Sequence, residues 1–333
     1  MSFTRSRMQQ RLSAAIVVAL GLPALSACAG SSLASTALPA GASTAHARVV
    51  EASASGYTFQ TIDAPADPTT EILGLNNLSK LVGFYGDPNV GFVARPPYTS
   101  TKFRKEVYPG AENTIVTSIN NMNTIAGWYQ NPEGGIYGFT EWQGIWTKYQ
   151  DNHELHGGSG QITKLLGISD GSLAVGYYVD SGADHATYLN LTTGKFKDIH
   201  VPGATSSAAT GINGKGDIVG WLTLASGATE GWLLKGGQFT MFQYPNAKET
   251  QPAGVDWTDD IAGSYEDASS NTHGFVLNNP LTSQVWTEID DVSGSGGETV
   301  VTGINNHSTL TGYYQTPSGS INGFLATLKG SGS

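Results

Sequence analysis

Short apolar segments alternate with polar turns over most of the chain, and the same order of segments returns six times. Each copy has a strand of small and apolar residues, a polar turn, a glycine-containing aromatic strand, a third apolar strand and a strand led by an aromatic residue. The first strands end, 43 to 49 residues apart, at Asn76, Asn120, Ser169, Asn213, Asp256 and Asn305. A period in the forties with four short strands per unit is typical of β-propeller blades.

The two ends of the repeat region predict how a ring of blades would close. An aromatic-led strand at 57–63 precedes the first complete unit, whereas the last unit ends at Leu328 without such a strand. We therefore predict that the N-terminal strand pairs with the strand beginning at Gly323, which would remove exposed sheet edges. The sequence predicts an all-β fold, a six-bladed propeller of four-stranded blades at 57–328, and a disordered tail at 329–333.

Two repeated positions are assigned to structure rather than to a ligand. Asn, Ser and Asp share the ability to hydrogen-bond backbone groups in tight turns, so the first-strand ends are interpreted as hairpin turns instead of a ring of ligands. A glycine in a strand lets a neighbouring group approach closely. That interpretation covers the second-strand glycines, which are Gly83, Gly127, Gly176, Gly220, Gly263 and Gly312.

The first 56 residues have the pattern of a leader and a tether. Three arginines precede an apolar run at 12–25 that is too short for an ordinary membrane span and ends in the tetrapeptide LSAC. This tetrapeptide resembles the lipobox of bacterial lipoproteins, which implies removal of residues 1–27 and lipidation of Cys28. The alternative is cleavage at an ordinary export site beside an incidental cysteine.

Residues 28–56 are rich in Ala and Ser and predict a flexible tether. By the same resemblance, Ala29 lacks the aspartate associated with inner-membrane retention, so an exported monomer anchored to the outer membrane or cell surface is expected. Nucleic acid is excluded as a partner because the formal net charge is −10 and phosphate binding needs a basic face. With one cysteine, the chain cannot form an internal disulfide.

The third unit departs from the others and is the candidate site for chemistry. It has Ser169 in place of Asn, replaces Gly-Phe with Ala-Thr, and has a longer entry loop. Imidazole and carboxylate groups in and near that loop suit a divalent metal, with an unliganded polar loop as the alternative and no other cofactor expected. The metal candidates are Asp151, His153, His156 and His185, and the acid/base candidates are Glu154 and Asp184.

Aromatic residues could form a sugar-binding platform at the mouth of a propeller, with packing between blades as the alternative. The candidates are Tyr85, Tyr129, Tyr178, Tyr265 and Tyr314. The sequence has no G-x-S-x-G elbow and no phosphate-binding glycine loop. These absences favour a noncatalytic protein.

The pattern GINxxGxIVGxYxDxxGxxHGF, present in parts at 211–221, 265–275 and 303–324, resembles the HAF-type extracellular repeat proteins of bacteria. The resemblance spans 57–328 and implies an exported, propeller-like repeat protein, but brings no established reaction. Two functions stay open. One is a surface-anchored propeller that binds an extracellular polymer, glycan or protein through its loop face; the other is a hydrolase or lyase that acts on a carbohydrate or ester through loop carboxylates.

Overall fold

The computed structural model of the chain describes residues 50–52, 56–65, 69–151, 162–290 and 298–329. Its regular structure is 25 strands and one short 3-10 helix, Ser100–Lys102. Across these ranges, no helix has the length and apolar composition needed to cross a membrane. The predicted all-β class is confirmed.

The first three repeats each form a separate four-stranded antiparallel sheet, with the strands in sequence order. The first repeat contains β3 (Thr70–Leu75), β4 (Leu81–Tyr85), β5 (Val90–Ala94) and β6 (Phe103–Glu106). The second contains β7 (Asn113–Ile119), β8 (Ile125–Gln130), β9 (Ile136–Trp142) and β10 (Ile145–Tyr149). The third contains β11 (Thr163–Ile168), β12 (Leu173–Asp180), β13 (Ala183–Asn190) and β14 (Lys195–Asp198).

The fourth and fifth repeats have the same antiparallel order but share one nine-stranded sheet. A single parallel pair, Thr229 with Glu249, joins them. The fourth contains β15 (Ala204–Ile212), β16 (Ile218–Leu224), β17 (Thr229–Lys235) and β18 (Gln238–Phe242), and the fifth β19 (Glu249–Val255), β20 (Ile261–Glu266), β21 (Thr272–Asn278) and β22 (Val285–Ile289). The ninth strand, β1 (Val50–Ala52), pairs in parallel with β22 and lies within the predicted tether.

The sixth repeat combines both ends of the repeat region. It contains β23 (Thr299–Ile304), β24 (Leu310–Gln315) and β25 (Ile321–Leu328), and its fourth strand is β2 (Tyr57–Ile62). β2 runs antiparallel to β25, in a register that places Tyr57 opposite Leu328 and Ile62 opposite Gly323. This is the pairing that the sequence predicts for the N-terminal strand.

The buried apolar residues lie between neighbouring sheets, as in other repeat architectures. In one cluster, Val82 of the first repeat packs with Val116 and Phe139 of the second. In another, Ile62 and Leu325 of the sixth repeat pack with residues of the first, among them Ile72, Leu81 and Phe92. The last repeat therefore shares a core with the first.

Every pair of first and second strands contains a β-bulge at the same place. In the even-numbered repeats the bulged residue is a threonine, at 117, 210 and 302. The Thr302 hydroxyl lies 2.7 Å from the carbonyl oxygen of Ile72 and donates to it, so the sixth repeat bonds to the first. Thr117 donates in the same way to Leu165 O at 2.9 Å. The bulges thus tie successive repeats together.

Candidate functional site

The first-strand ends form the hairpin turns that the sequence predicts. In the first repeat, the Asn76 Oδ1 atom accepts hydrogen bonds from the backbone N–H groups of Leu78 and Lys80, each at 3.0 Å. The Asp256 carboxylate accepts equivalent bonds, and the Ser169 hydroxyl does so at slightly longer distances. The turn interpretation is therefore confirmed.

The amide nitrogens of the four asparagines have a second role, which the sequence analysis missed. Each Nδ2 donates to the backbone carbonyl at the equivalent position of the next repeat, over 3.0 to 3.2 Å. The series includes Asn305 to Asn76, from the last repeat to the first. Ser169 and Asp256 have no amide and make no such bond. The sequence signal for this bond was the use of Asn at the other four positions, because Asn alone among the three residue types has an amide donor.

These turns surround a depression that is lined by residues from all six repeats, with a volume of about 80 Å³. A second space of about 90 Å³ lies along the first strands, again with all six repeats in its lining. Both are well below the roughly 300–1,000 Å³ of a typical small-molecule pocket. Since the Asn amides at the depression already bond to backbone groups, we assign this region to structure.

A larger cleft, of about 160 Å³, lies at the other end of the strands, between the third and fourth repeats. The third repeat contributes Asp184, His185, Asp198 and His200, and the fourth contributes Ser206 among others. His200 is exposed and Asp184 is buried. The cleft therefore combines imidazole, carboxylate and hydroxyl groups in one small space.

Strand pairing explains how these side chains meet. Tyr178 on β12 lies directly opposite His185 on β13, and their rings stack with centroids 5.1 Å apart. The Tyr178 hydroxyl donates to Asp198 Oδ2 at 3.4 Å. Across the boundary between repeats, the Asp184 backbone N–H donates to Ser206 Oγ at 3.0 Å. The antiparallel register thus brings Tyr178 and Asp198, which are 20 positions apart in the sequence, into one cluster.

Asp151 belongs to the same neighbourhood. Its side chain is buried, and its Oδ2 atom accepts a hydrogen bond from the Thr187 hydroxyl at 3.2 Å. Burial raises the pKa of the Tyr178 hydroxyl to about 12, and the negative charges of Asp198 and Asp151 add to that shift. Tyr178 therefore stays protonated at neutral pH and can act as a hydrogen-bond donor.

Asp151 replaces a tyrosine found in two other repeats. The backbone N–H of Asp151 donates to a threonine hydroxyl twelve residues later, at 3.0 Å. Tyr108 and Tyr244 make the equivalent bond in the second and fifth repeats. Those two rings stack on Tyr129 and Tyr265 respectively, with centroids 3.7 Å apart. The third repeat thus has a carboxylate where a stacked ring would otherwise lie.

The other predicted site residues fall into two groups. His153, Glu154, His156 and Cys28 lie outside the described residues. Four of the five candidate tyrosines are buried, and only Tyr85 is partly exposed. Since Tyr129, Tyr178 and Tyr265 already stack on neighbouring rings, packing accounts for them.

The structure places Asp184 and His185 in the lining of the cleft, and Asp151 beside Thr187 of the same repeat. Sequence analysis missed three cleft residues, His200, Asp198 and Ser206, because their positions depend on strand register rather than on a motif. Together these groups can donate and accept hydrogen bonds with a polar ligand.

Comparison with known proteins shows a likeness of fold. A putative TolB from Agrobacterium tumefaciens has a TM-score of 0.56 at 10% identity, covering 77% of this chain and 89% of that one. A streptogramin B lyase has 0.46 at 12% identity, covering 80% and 87%. An Aleuria aurantia lectin variant in complex with Fucα1-6GlcNAc has 0.46 at 10%, covering 77% and 91%. These structures are β-propellers. The chain matches no protein-family model and no curated protein sequence.

Proposed function

We propose that the chain is an exported, monomeric, six-bladed β-propeller of the HAF-repeat type that is lipid-anchored through Cys28. It binds an extracellular glycan without turning it over, and the ligand lies in the cleft between the third and fourth repeats. The anchor would hold the repeats at the outer membrane or cell surface.

Contacts between the last and first repeats support a closed ring. Asn305 and Thr302 donate hydrogen bonds to backbone carbonyls of the first repeat, and Ile62 and Leu325 share an apolar cluster with it. The same depression touches all six repeats, as expected at the axis of a ring. With β2 as the fourth strand of the last blade, each blade has four strands.

The composition of the cleft is the single observation on which the binding proposal rests. Asp198, His185, His200 and Ser206 offer acceptors and donors within a space of about 160 Å³. Sugar hydroxyls both donate and accept, so they match such a mixed lining. The space is small compared with a drug-sized pocket of roughly 300–1,000 Å³, which fits one residue of a polymer better than a large ligand.

A second candidate function is hydrolysis or elimination, because Asp184 and Asp198 line the same cleft. A glycosidase needs two carboxyl groups, one of them acting as a general acid. The Asp184 side chain, however, is only 4% exposed, so its access to a substrate is limited. Binding without turnover is therefore the function that we favour.

The test is a glycan and polysaccharide panel that reports both retention and product release, using residues 29–333. We expect retention without products, and we expect His200→Ala to weaken it at least about tenfold, or about 1.4 kcal/mol. His307→Ala is the matched control, because His307 is also exposed but lies in a turn at the opposite end of the strands. Product release, or equal retention by His200→Ala and wild type, would contradict the proposal.

A further inference from the structure

The fifth repeat contains a second cluster of ionisable side chains, away from the third-repeat cleft. His273 lies on β21, Glu288 on β22, and Asp290 just after β22. One potential ligand atom from each lies within 4.8 Å of the other two, and no other described His, Cys, Asp or Glu residues form such a group. The three potential ligand atoms are one imidazole nitrogen and two carboxylate oxygens, and this set suits a divalent transition-metal ion such as Zn²⁺.

The spacing of the donors is close to that of a coordination shell. His273 Nδ1 lies 2.9 Å from Asp290 Oδ2. With metal–ligand bonds of roughly 2.0–2.2 Å, two ligands of a tetrahedral ion lie about 3.3 Å apart. Small side-chain rotations would bring the three donor atoms to this spacing. Glu288 is exposed, so an ion here would be reached from solvent.

The groups behind these donors resemble the outer shell of a metal site. The second ring nitrogen of His273, Nε2, lies 3.6 Å from Asp267 Oδ2. Glu288 Oε2 accepts a hydrogen bond from the Tyr265 hydroxyl at 2.5 Å. Metal-bound histidines usually donate their other N–H to a carboxylate or carbonyl, and metal-bound carboxylates are usually hydrogen-bonded as well. The hydrogen bond to a carboxylate ligand is present here, and Asp267 lies close to the second ring nitrogen of His273 without reaching hydrogen-bond distance.

Asp267 is itself held in place. Its Oδ1 atom accepts hydrogen bonds from the backbone N–H groups of Ser269 and Asn271, each at 2.8 Å. The Asp290 carboxylate has a free acceptor in addition: its Oδ1 atom is buried and has no hydrogen-bond partner in the described part of the chain. Buried polar atoms are normally satisfied, so an unsatisfied oxygen beside a histidine suggests a missing ligand.

The third repeat provides an internal comparison. His185, Asp198 and His200 occupy the strand positions that His273, Glu288 and Asp290 occupy in the fifth. His185 and His273 lie opposite Tyr178 and Tyr265 of the second strand. At the equivalent position of the third strand, the other four repeats have Val90, Tyr137, Glu230 and Asn322. The third-repeat residues do not converge as the fifth-repeat residues do.

We propose that the fifth repeat binds one divalent transition-metal ion, best matched by Zn²⁺, through His273, Glu288 and Asp290. Asp267 and Tyr265 orient two of these ligands. Three protein ligands leave a fourth position of a tetrahedral ion for water or an exogenous group. This site does not depend on the glycan-binding proposal. The competing hypothesis is a metal-free ion pair of protonated His273 with Asp290.

The test is a Zn²⁺ titration by calorimetry with the full chain, carrying Cys28→Ser so that no thiol competes for metal. A Co²⁺ absorption spectrum reports the coordination geometry. We expect His273→Gln and Asp290→Asn to reduce the stoichiometry by one ion per chain. Asp267→Asn keeps the site but weakens it by about 10–100-fold, as for other outer-shell partners.

His307→Gln is the matched control, since His307 is exposed in a turn at the opposite end of the strands, and we expect it to leave the Zn²⁺ stoichiometry unchanged. If wild type binds a further ion elsewhere on the chain, His273→Gln would still bind one ion fewer than wild type. The proposal is wrong if wild type binds neither metal at 100 μM, or if the stoichiometry is the same in wild type, His273→Gln and Asp290→Asn.

Discussion

Substitution of Gly176 by alanine is expected to destabilise the protein by about 3 kcal/mol or more, at the upper end of the range for overpacking. A Cβ atom at this position would collide with the carbonyl oxygen of Lys164 and lie 2.9 Å from the Lys164 carbonyl carbon and 3.0 Å from Leu165 Cα. All three atoms belong to the backbone of the paired strand, β11. They cannot move without disturbing the strand ladder, and denaturant unfolding would measure the loss.

Gly171→Ala is the matched control from the same repeat. A Cβ atom there would meet only Ser169 Oγ, at an ordinary 3.7 Å. We expect its free energy of unfolding to stay within about 0.5 kcal/mol of wild type, as for most surface substitutions. Equal unfolding midpoints for Gly176→Ala, Gly171→Ala and wild type would show that β11 and β12 do not pack as described.

Asn305→Ala is expected to cost about 2–3 kcal/mol, and Asn305→Asp about 1 kcal/mol. Alanine loses the two bonds from the backbone N–H groups of His307 and Thr309 and the bond to Asn76 O. Aspartate keeps the two acceptor bonds and loses only the amide donor. Each such bond contributes about 0.5–1.5 kcal/mol. The fifth repeat, with Asp256 at this position, already has the aspartate form.

Asn131→Ala is the control variant: it measures how much stability is lost when an asparagine side chain that makes no bond between repeats is removed. The Asn131 side chain accepts one local bond, from Gly135 N at 2.7 Å, so its removal should cost about 1 kcal/mol. Thermal and denaturant unfolding of the three variants would give the order of stability. If Asn305→Asp were as stable as wild type, the amide bond between the last and first repeats would contribute nothing.

The repeat period predicted most of the fold, because glycine, turn and aromatic positions recur at fixed places in every copy. It did not predict the bulges. The threonines at 117, 210 and 302 look like ordinary strand residues, and their hydroxyls reach the next repeat only because the bulge turns them toward it. The shared sheet of the fourth and fifth repeats was also unpredicted, since it depends on one parallel contact.

The third repeat was selected because its sequence departs from the pattern of the other copies, and Asp184 and His185 of that repeat line the cleft. Sequence analysis could not find the fifth-repeat cluster, because His273 and Asp290 are 17 residues apart and meet only through the β21–β22 register. A spacing of this kind matches no local metal motif.

Closure of the ring by β2 is the claim on which the proposed six-bladed architecture depends, and native-state hydrogen exchange tests it most directly. β2 forms a full antiparallel ladder with β25, from Tyr57 opposite Leu328 to Ile62 opposite Gly323. We expect the backbone amides of residues 57–62 that bond to β25 to have hydrogen-exchange protection factors of the same order as the amides of β24. Exchange of 57–62 at the rate of an unfolded peptide, with β24 still protected, would contradict closure.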